Sequence, residues 1–471
     1  MSTPPTDAPS PPSPARLRAL LAALEDGLVE RRAAVRLAVL AALSGEHTLL
    51  VGPPGTAKSL LARRLHLAFA EGGYFERLLT RFTVPEELFG PLSIRALEED
   101  RYERQTEGFL PRASIAFIDE VFKANSAILN ALLTLLNERE FDNGPRREPS
   151  PLVAVIGATN AVPEDEVGEA FVDRFLVRIP VAAVSGEGFR ALLDAGDLPP
   201  PRLDGAITEA ERAALGRAAR AVSIPEEVTA LLSEARARLA GDGLYVSDRR
   251  WVKIAWLLRS AAAAEGRAAV SRWDLWLLPW CVAADAGRLA AVGDWLAARL
   301  GAREALSPPR LTRVVEAFEA QLEAERQADD LDYDDAGRLR LSEDPAAAVG
   351  DAKGAAAAPR LSFTRRRRYG ESHVAARRAQ LDDLDARIDA YLAELSAGRE
   401  ELAAFLRGGL WMDVGFGARA AAALAGTVEA VTALRARARR AREGFEALPR
   451  LPADPGVVPA PVVHEPLETG S

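Results

Sequence analysis

A chain of 471 residues is longer than one hydrophobic core usually supports, so two to four domains are expected. With 48% hydrophobic and 27% charged residues it has the profile of a soluble globular protein, and its net charge of −9 argues against a general nucleic-acid binder. The single cysteine, Cys281, excludes an internal disulfide, and four scattered histidines offer no metal-ligand spacing, which together fit a reducing cytoplasm.

From the N-terminus, residues 1–14 are Pro-rich, small and polar, and read as a disordered extension rather than a signal peptide. Residues 15–188 alternate helical patterns with short apolar runs. "HTLLVG" (47–52), "IAFID" (115–119), "LVAVIGATN" (152–160) and "FLVRIP" (175–180) read as buried strands, and the alternation predicts a parallel sheet covered on both faces. Residues 189–298 are helical throughout. Thr208 with Glu211 forms a capping-box pattern, and the Trp-rich stretches "DRRWVKIAWLLRSAAAA" and "SRWDLWLLPWCVAADA" read as core helices.

Beyond "SPPR" (307–310), apolar residues recur at spacings of three and four. Leu311, Val315, Phe318 and Leu322 begin the series; Leu381, Leu384, Ile388, Tyr391 and Leu395 continue it; Leu424, Val428 and Val431 end it. Three long helices with such seams predict a discontinuous antiparallel bundle over 303–330 and 371–450. The intervening 331–370 is a β-rich, low-complexity insert: "GRLRLS" (337–342) and "PRLSFTR" (359–365) alternate as strands, and the run Arg365–Arg368 reads as a solvated face. Residues 451–471 read as a disordered tail. No apolar run reaches the ~18 residues that a membrane span needs.

The chemistry lies in the first block. "VGPPGTAKSL" (51–60) stands between an apolar run and a helical pattern, the strand–loop–helix setting of a phosphate-binding loop. Backbone N–H groups of Gly52, Pro53, Pro54, Gly55, Thr56 and Ala57 (prolines excepted), with the helix N-terminus, would cradle phosphate oxygens. Lys58 would reach the phosphates as a point charge and the Ser59 hydroxyl would ligate Mg²⁺. Ala57 stands where a third glycine is usual, which is harmless if the helix has begun by then; helical φ is expected at this position. In "SIAFIDEVFKA" (114–124) a buried strand delivers Asp119 to hold Mg²⁺ and Glu120 to act as general base on water. Asn160 ends the next apolar run and could orient that water or sense the γ-phosphate. Arg174 precedes the following strand, and Arg249 opens a helix in the second block.

This order of motifs resembles the AAA+ ATPases. The phosphate loop and "FIDE" correspond to Walker A and Walker B, Asn160 to sensor 1, Arg174 to the arginine finger and Arg249 to sensor 2. The resemblance implies ATP and Mg²⁺ as ligands and a ring, usually a homo-hexamer, in which Arg174 serves the neighbouring subunit. "TRFTVPEELFGPLSI", followed by "RYERQTEGFLPRASIAFIDEVFKANSAILNALLTLLNERE", is similar to the MoxR branch, and the Ala-containing loop to its RavA-like members. In that branch Phe89–Ile94 begins an insert in the second helix. Residues 101–110 would then form a β-hairpin facing the pore or the client, with Phe109 and Leu110 returning to the core. The lysine decarboxylase partner of the larger β insert does not carry over to the reduced segment 331–370. A partner with a von Willebrand factor A domain does.

The expected fold is thus an α/β P-loop NTPase (AAA+) core with an all-α lid, plus a C-terminal three-helix bundle interrupted by a short β insert. The expected activity is a cytoplasmic, Mg²⁺-dependent ATPase that remodels or assembles protein complexes in a chaperone-like manner, with no nucleic acid and no transmembrane segment. Two alternatives stay open: the motor subunit of a metal-chelatase-like complex, and a nucleic-acid-dependent AAA+ motor.

Overall fold

In the computed structural model, residues 9–162, 168, 171–194, 201–283, 285–330, 341–342, 360–361 and 365–467 are described. They fall into two units. The first runs to Leu300 and takes in Ala404–Arg419; the second holds Gly301–Ala403 and the chain from Ala420 on.

Within the first unit the strands are β1 (His47–Val51), β2 (Gly73–Leu78), β3 (Ala113–Asp119), β4 (Glu140–Asn143), β5 (Arg146–Pro149), β6 (Ala154–Thr159) and β7 (Phe175–Pro180). Five of them form a sheet in the order β2-β3-β6-β1-β7, with every pair parallel. The four anticipated apolar runs supply β1, β3, β6 and β7. β2 was not anticipated, because it lies at the sheet edge and only Phe75 of its six residues is buried. A half-solvated edge strand leaves no continuous apolar run to read.

Helices α1 (Pro14–Glu25), α2 (Arg32–Leu43), α3 (Lys58–Leu67), α4 (Pro85–Phe89), α5 (Ile94–Glu98) and α6 (Ser126–Glu138) accompany the sheet. Asn125 caps α6 by accepting from the Ile128 N–H at 3.0 Å, a bond typically worth ~1 kcal/mol. The helix then buries Ile128, Leu132, Leu135 and Leu136 in the same core as Phe75, Leu88, Phe89, Ile118 and Phe171. Each fully buried side chain of that size contributes roughly 1.5–3 kcal/mol, which sets α6 firmly beneath the strand carrying Asp119.

The expected hairpin over 101–110 is not formed; this is a correction. One bridge, Leu92 to Arg104, is the whole of its pairing. The backbone of Arg104 is satisfied instead by a side chain: the Asn143 carbonyl accepts from its N–H at 2.7 Å, and the Asn143 amide donates to its C=O at 3.2 Å. The antiparallel hairpin of this region is β4–β5, joined by the two-residue turn Gly144–Pro145 directly after Asn143. Gly144 is at φ +63°, and a Cβ there would lie 1.8 Å from the Tyr102 carbonyl oxygen, so only glycine fits. Phe89 stacks on Phe141 of β4 at 5.4 Å, and Leu110 returns to the core as expected.

The lid is built from helices: Glu209–Ala221, Glu226–Gly241, Asp248–Ala264, the 3-10 helix Arg272–Leu277, Leu278–Val282 and Ala286–Arg299. The capping box forms, with Glu211 accepting from the Thr208 N–H and Thr208 Oγ1 accepting from the Glu211 N–H. Trp273 and Trp276 are buried, as core residues should be.

In the second unit, Pro308–Gln327, Glu371–Gly408 and Val414–Glu446 are the three long helices, the last two having their facing ends in the first unit. The predicted seam positions Leu311, Phe318, Leu381, Ile388, Leu424 and Val431 are buried. Asp385 binds both Arg435 and Arg439 across the seam. Val414–Glu446 is, among the described residues, long and apolar enough to pass for a membrane span by length and composition. Its buried Leu424 and Val431 and its ion pairs to Asp385 are those of a bundle helix. In the insert, Leu341–Ser342 pairs with Arg360–Leu361, and Asp329–Asp330 with Arg365–Arg366. The rest of the two expected strands, and the low-complexity stretch between them, lie outside the described residues.

The expectation of a disordered tail is corrected for 451–467. This segment is extended and bonded to the bundle: the Leu451 N–H donates to the Tyr369 carbonyl at 3.0 Å, Arg377 Nη1 to the Ala460 carbonyl at 2.7 Å, and the Val462 N–H to Gln380 Oε1 at 3.2 Å. Pro-rich composition denies a ladder, not order; side chains of the bundle take over the backbone groups. At the other end, the described residues 9–13 lead into α1, which Ser13 caps; 1–8 lie outside the described part.

Candidate functional site

Strand order makes the site. β6 lies between β1 and β3, so the loop after β1, Asp119 at the end of β3 and Asn160 just after β6 share one edge of the sheet. Ligands collect at that carboxyl edge in open parallel sheets.

The phosphate loop leaves β1 through Gly52, whose N–H still donates to the Thr159 carbonyl at 3.0 Å. A Cβ on Gly52 would fall 2.1 Å from the Val181 carbonyl oxygen, so the backbone can pass only as glycine. Thr56 Oγ1 donates to the Pro53 carbonyl at 3.0 Å, and Lys58 Nζ to the Gly52 and Pro53 carbonyls at 2.6 and 2.9 Å. Helix α3 begins at Lys58, with Ser59 next in its first turn. The expectation of helical φ at Ala57 is wrong: this residue sits at φ +66°, outside the helix, in the left-handed region. A Cβ there costs about 1–2 kcal/mol relative to glycine, so the loop holds a strained alanine.

Asp119 ends β3 and its Oδ1 accepts from the Glu120 N–H at 3.0 Å. Glu120 itself is at φ +52°, which turns its side chain out of the strand's alternation. Asn160 Nδ2 donates to Glu120 Oε1 at 2.7 Å, and Lys123 Nζ stands 3.4 Å from the same oxygen. Two residues forty apart in sequence are thereby one polar unit.

Asp173 organises the arginines. Arg249 Nη2 donates to Asp173 Oδ2 at 2.5 Å, and Arg250 Nη1 to Oδ1 at 3.3 Å; Arg174 stands further off, 3.9 Å from Oδ2. The neighbours Arg249 and Arg250 divide the labour, since consecutive helical residues point about 100° apart. Arg249 is about half exposed, whereas Arg250 is buried and donates to the carbonyls of Cys281, Phe175 and Leu176. Arg250 therefore ties the helical part to β7, and Arg249 keeps an accessible guanidinium. Sequence reading singled out Arg249 and passed over Arg250, because nothing in "SDRR" says which arginine turns inward.

A cavity of about 1130 Å³ opens beside the loop, between Gly52 and Pro53, Val181 and Ala182 after β7, and Tyr245 and Leu289 of the helical part. Arg178 of β7 also lines it; burial, with Arg250 alongside, pushes its guanidinium down to about 9. Among the described residues no cluster of His, Cys, Asp or Glu forms a metal cage.

A family model for the MoxR domain of MoxR–vWA–β-propeller ternary systems matches residues 15–207, and one for an AAA lid domain matches 227–296. Two proteins of Methanocaldococcus jannaschii, both described as uncharacterized, are 40% identical over 257 residues, which is 54% of this chain and 67% and 68% of theirs. Chaperone MoxR1 of Mycobacterium tuberculosis is 33% identical over 183 residues, 38% of this chain and 46% of its own length. The chain belongs to the MoxR family of AAA+ ATPases. A crystal structure from Cytophaga hutchinsonii covers 57% of this MoxR chain and 86% of its own at a TM-score of 0.47 and 18% identity, too loose a likeness to add to the argument. The MoxR-domain match contains Lys58, Asp119, Glu120, Asn160 and Arg174, and the lid match contains Arg249 and Arg250.

Proposed function

We propose that this MoxR-family protein is a cytoplasmic, Mg²⁺-dependent ATP hydrolase. As a ring, a homo-hexamer of like subunits, it would use the cycle to remodel or assemble protein complexes, chaperone-like, with a protein carrying a von Willebrand factor A domain. The observation that carries the reading is the 2.7 Å bond from Asn160 to Glu120 across the strand edge that also bears the phosphate loop.

The residues present fit both ligands. Gly52 is packed where a Cβ would fill the passage, and Gly55 and Ala57, both at positive φ, precede the first helical N–H groups of α3. Such alternation of left-handed and helical residues turns successive N–H groups toward one anion. Lys58 and the α3 N-terminus offset phosphate charge. Ser59 and Asp119 would hold Mg²⁺, which when bound spreads the negative charge of the phosphate oxygens. Glu120 accepts the proton of the attacking water, and Asn160 keeps the carboxylate aimed. Arg174 serves the neighbour's γ-phosphate, while Arg249, resting on Asp173, reports on the same group from the lid.

A Glu120→Gln variant should keep ATP binding and lose phosphate release. Held with Mg²⁺–ATP, it should form a ring by light scattering and retain an added von Willebrand factor A domain protein. Retention of nucleic acid or of a chelatase subunit instead, or a protein that stays monomeric with Mg²⁺–ATP, would overturn the reading.

A further inference from the structure

Beside the strained alanine of the phosphate loop lies a buried cation that the hydrolytic scheme leaves without a role. Arg31 stands at the N-terminal cap of α2 and is 8% exposed. Its guanidinium makes three bonds, all to main-chain carbonyls: Nε donates to Thr56 at 3.2 Å, Nη1 to Glu30 at 3.0 Å and Nη2 to Ala182 at 2.8 Å. The adjacent Glu30 carboxylate is engaged by the N–H and hydroxyl of Ser185.

The Thr56 carbonyl belongs to the peptide group that joins Thr56 to Ala57. A peptide group is planar, so holding its oxygen also holds the direction of the Ala57 N–H and the axis about which φ of Ala57 turns. An alanine keeps φ near +66° only where its surroundings impose it. Among the described contacts, Arg31 is the side chain that grips this peptide from outside the loop. Through Ala182, the same guanidinium fastens the loop to the wall of the neighbouring cavity. A lysine could not reproduce this, because three carbonyls in different directions need the planar fork of a guanidinium.

We propose that Arg31 is a positioning residue for the nucleotide: by holding the Thr56–Ala57 peptide, it keeps the loop in its anion-binding shape although alanine stands where glycine would hold that shape unaided. The inference rests on the ATPase reading. It also makes Arg31 and Ala57 energetically coupled, which a residue that only fastens α2 to the core would not be.

The test is a double-mutant cycle on the full chain, read as the Kd of a fluorescent ATP analogue with Mg²⁺, alongside thermal unfolding. Arg31→Met should weaken binding about tenfold in the Ala57 protein, the competent fraction of loops falling to roughly one tenth. In an Ala57→Gly background the same change should cost no more than about threefold, because the loop no longer resists its own shape. Arg31→Lys should fall between the two and serves if Arg31→Met does not fold. Equal factors in both backgrounds, or a lowered melting point with unchanged Kd, would overturn the proposal and leave the ATPase reading intact. Failure of the unaltered protein and of Glu120→Gln to bind the analogue would overturn the ATPase reading itself, and this inference with it.

Discussion

Replacing Asn160 with alanine isolates the contact on which the functional reading depends. The amide donates to Glu120 Oε1 at 2.7 Å, a hydrogen bond to a carboxylate. Bonds of that kind contribute about 1.5–3 kcal/mol when buried. Asn160 is exposed, so solvent screens the bond, and the lower end, about 1.5 kcal/mol, is the appropriate figure. If the bond aims Glu120 in the transition state for hydrolysis, that energy appears in kcat as roughly a tenfold loss. Nucleotide affinity should hardly move, because neither atom belongs to the phosphate loop. The assay is steady-state phosphate release against ATP concentration, with direct binding of a fluorescent analogue. Asn160→Asp should be worse than Asn160→Ala, since it sets a second carboxylate against the first. A kcat within twofold of the unaltered protein, or a loss confined to KM, would refute the assignment of Asn160 as the residue that aims Glu120.

Arg377→Met strips the buried Glu325 of its guanidinium, bonded at 3.0 and 2.8 Å, while His373 stays at 2.9 Å. A loss of about 3 kcal/mol in the second unit is expected in urea titrations. Because Arg377 also holds the Ala460 carbonyl, the segment 451–467 should gain protease sensitivity. Hydrogen bonds from Arg439 and Arg435 hold the Asp385 carboxyl down to about 2, against an ordinary 3.8. Its contribution is therefore present above pH 3.8 and lost as pH falls toward 2. Asp385→Asn should lower stability at pH 7 and match the unaltered protein near pH 2, as followed by chemical denaturation at each pH. In the segment that begins at Phe89, Ile94, Leu97 and Tyr102 are exposed, whereas Phe89 is buried against Phe141. Serine at the three exposed positions should spare basal ATP hydrolysis and abolish action on a client. Loss of hydrolysis as well would show that the insert supports the site rather than the client.

The phosphate-loop and carboxylate motifs were legible because they are local. A glycine-rich loop between a strand and a helix, and a carboxylate pair ending an apolar run, are properties of ten or so consecutive residues. Periodicity made the bundle legible in the same way: Leu311 to Leu322 and Leu381 to Leu395 are buried as their spacing predicts. The edge strand β2 and the β4–β5 hairpin escaped. β2 buries too little to leave a run, and β4 and β5 are four residues each and largely solvent-facing, so neither leaves an apolar run to read.

By itself, then, the sequence determined where the phosphate-loop pattern, the carboxylate pair and the strand-end amide stand, and in which strand–helix frame, because short-range pattern and residue chemistry suffice for that. Tertiary structure decided how those residues are held. Ala57 is left-handed because the loop closes on the Gly52 passage and its Thr56 carbonyl is bonded to Arg31, twenty-five residues away. Arg250 turns inward because the carbonyls of Asp173, Phe175, Leu176 and Cys281 lie there to receive it, leaving Arg249 outside. The tail 451–467 is ordered because the bundle supplies partners for its backbone. In each case a buried donor or acceptor had to find a partner far along the chain, and no short window of sequence states where that partner will be.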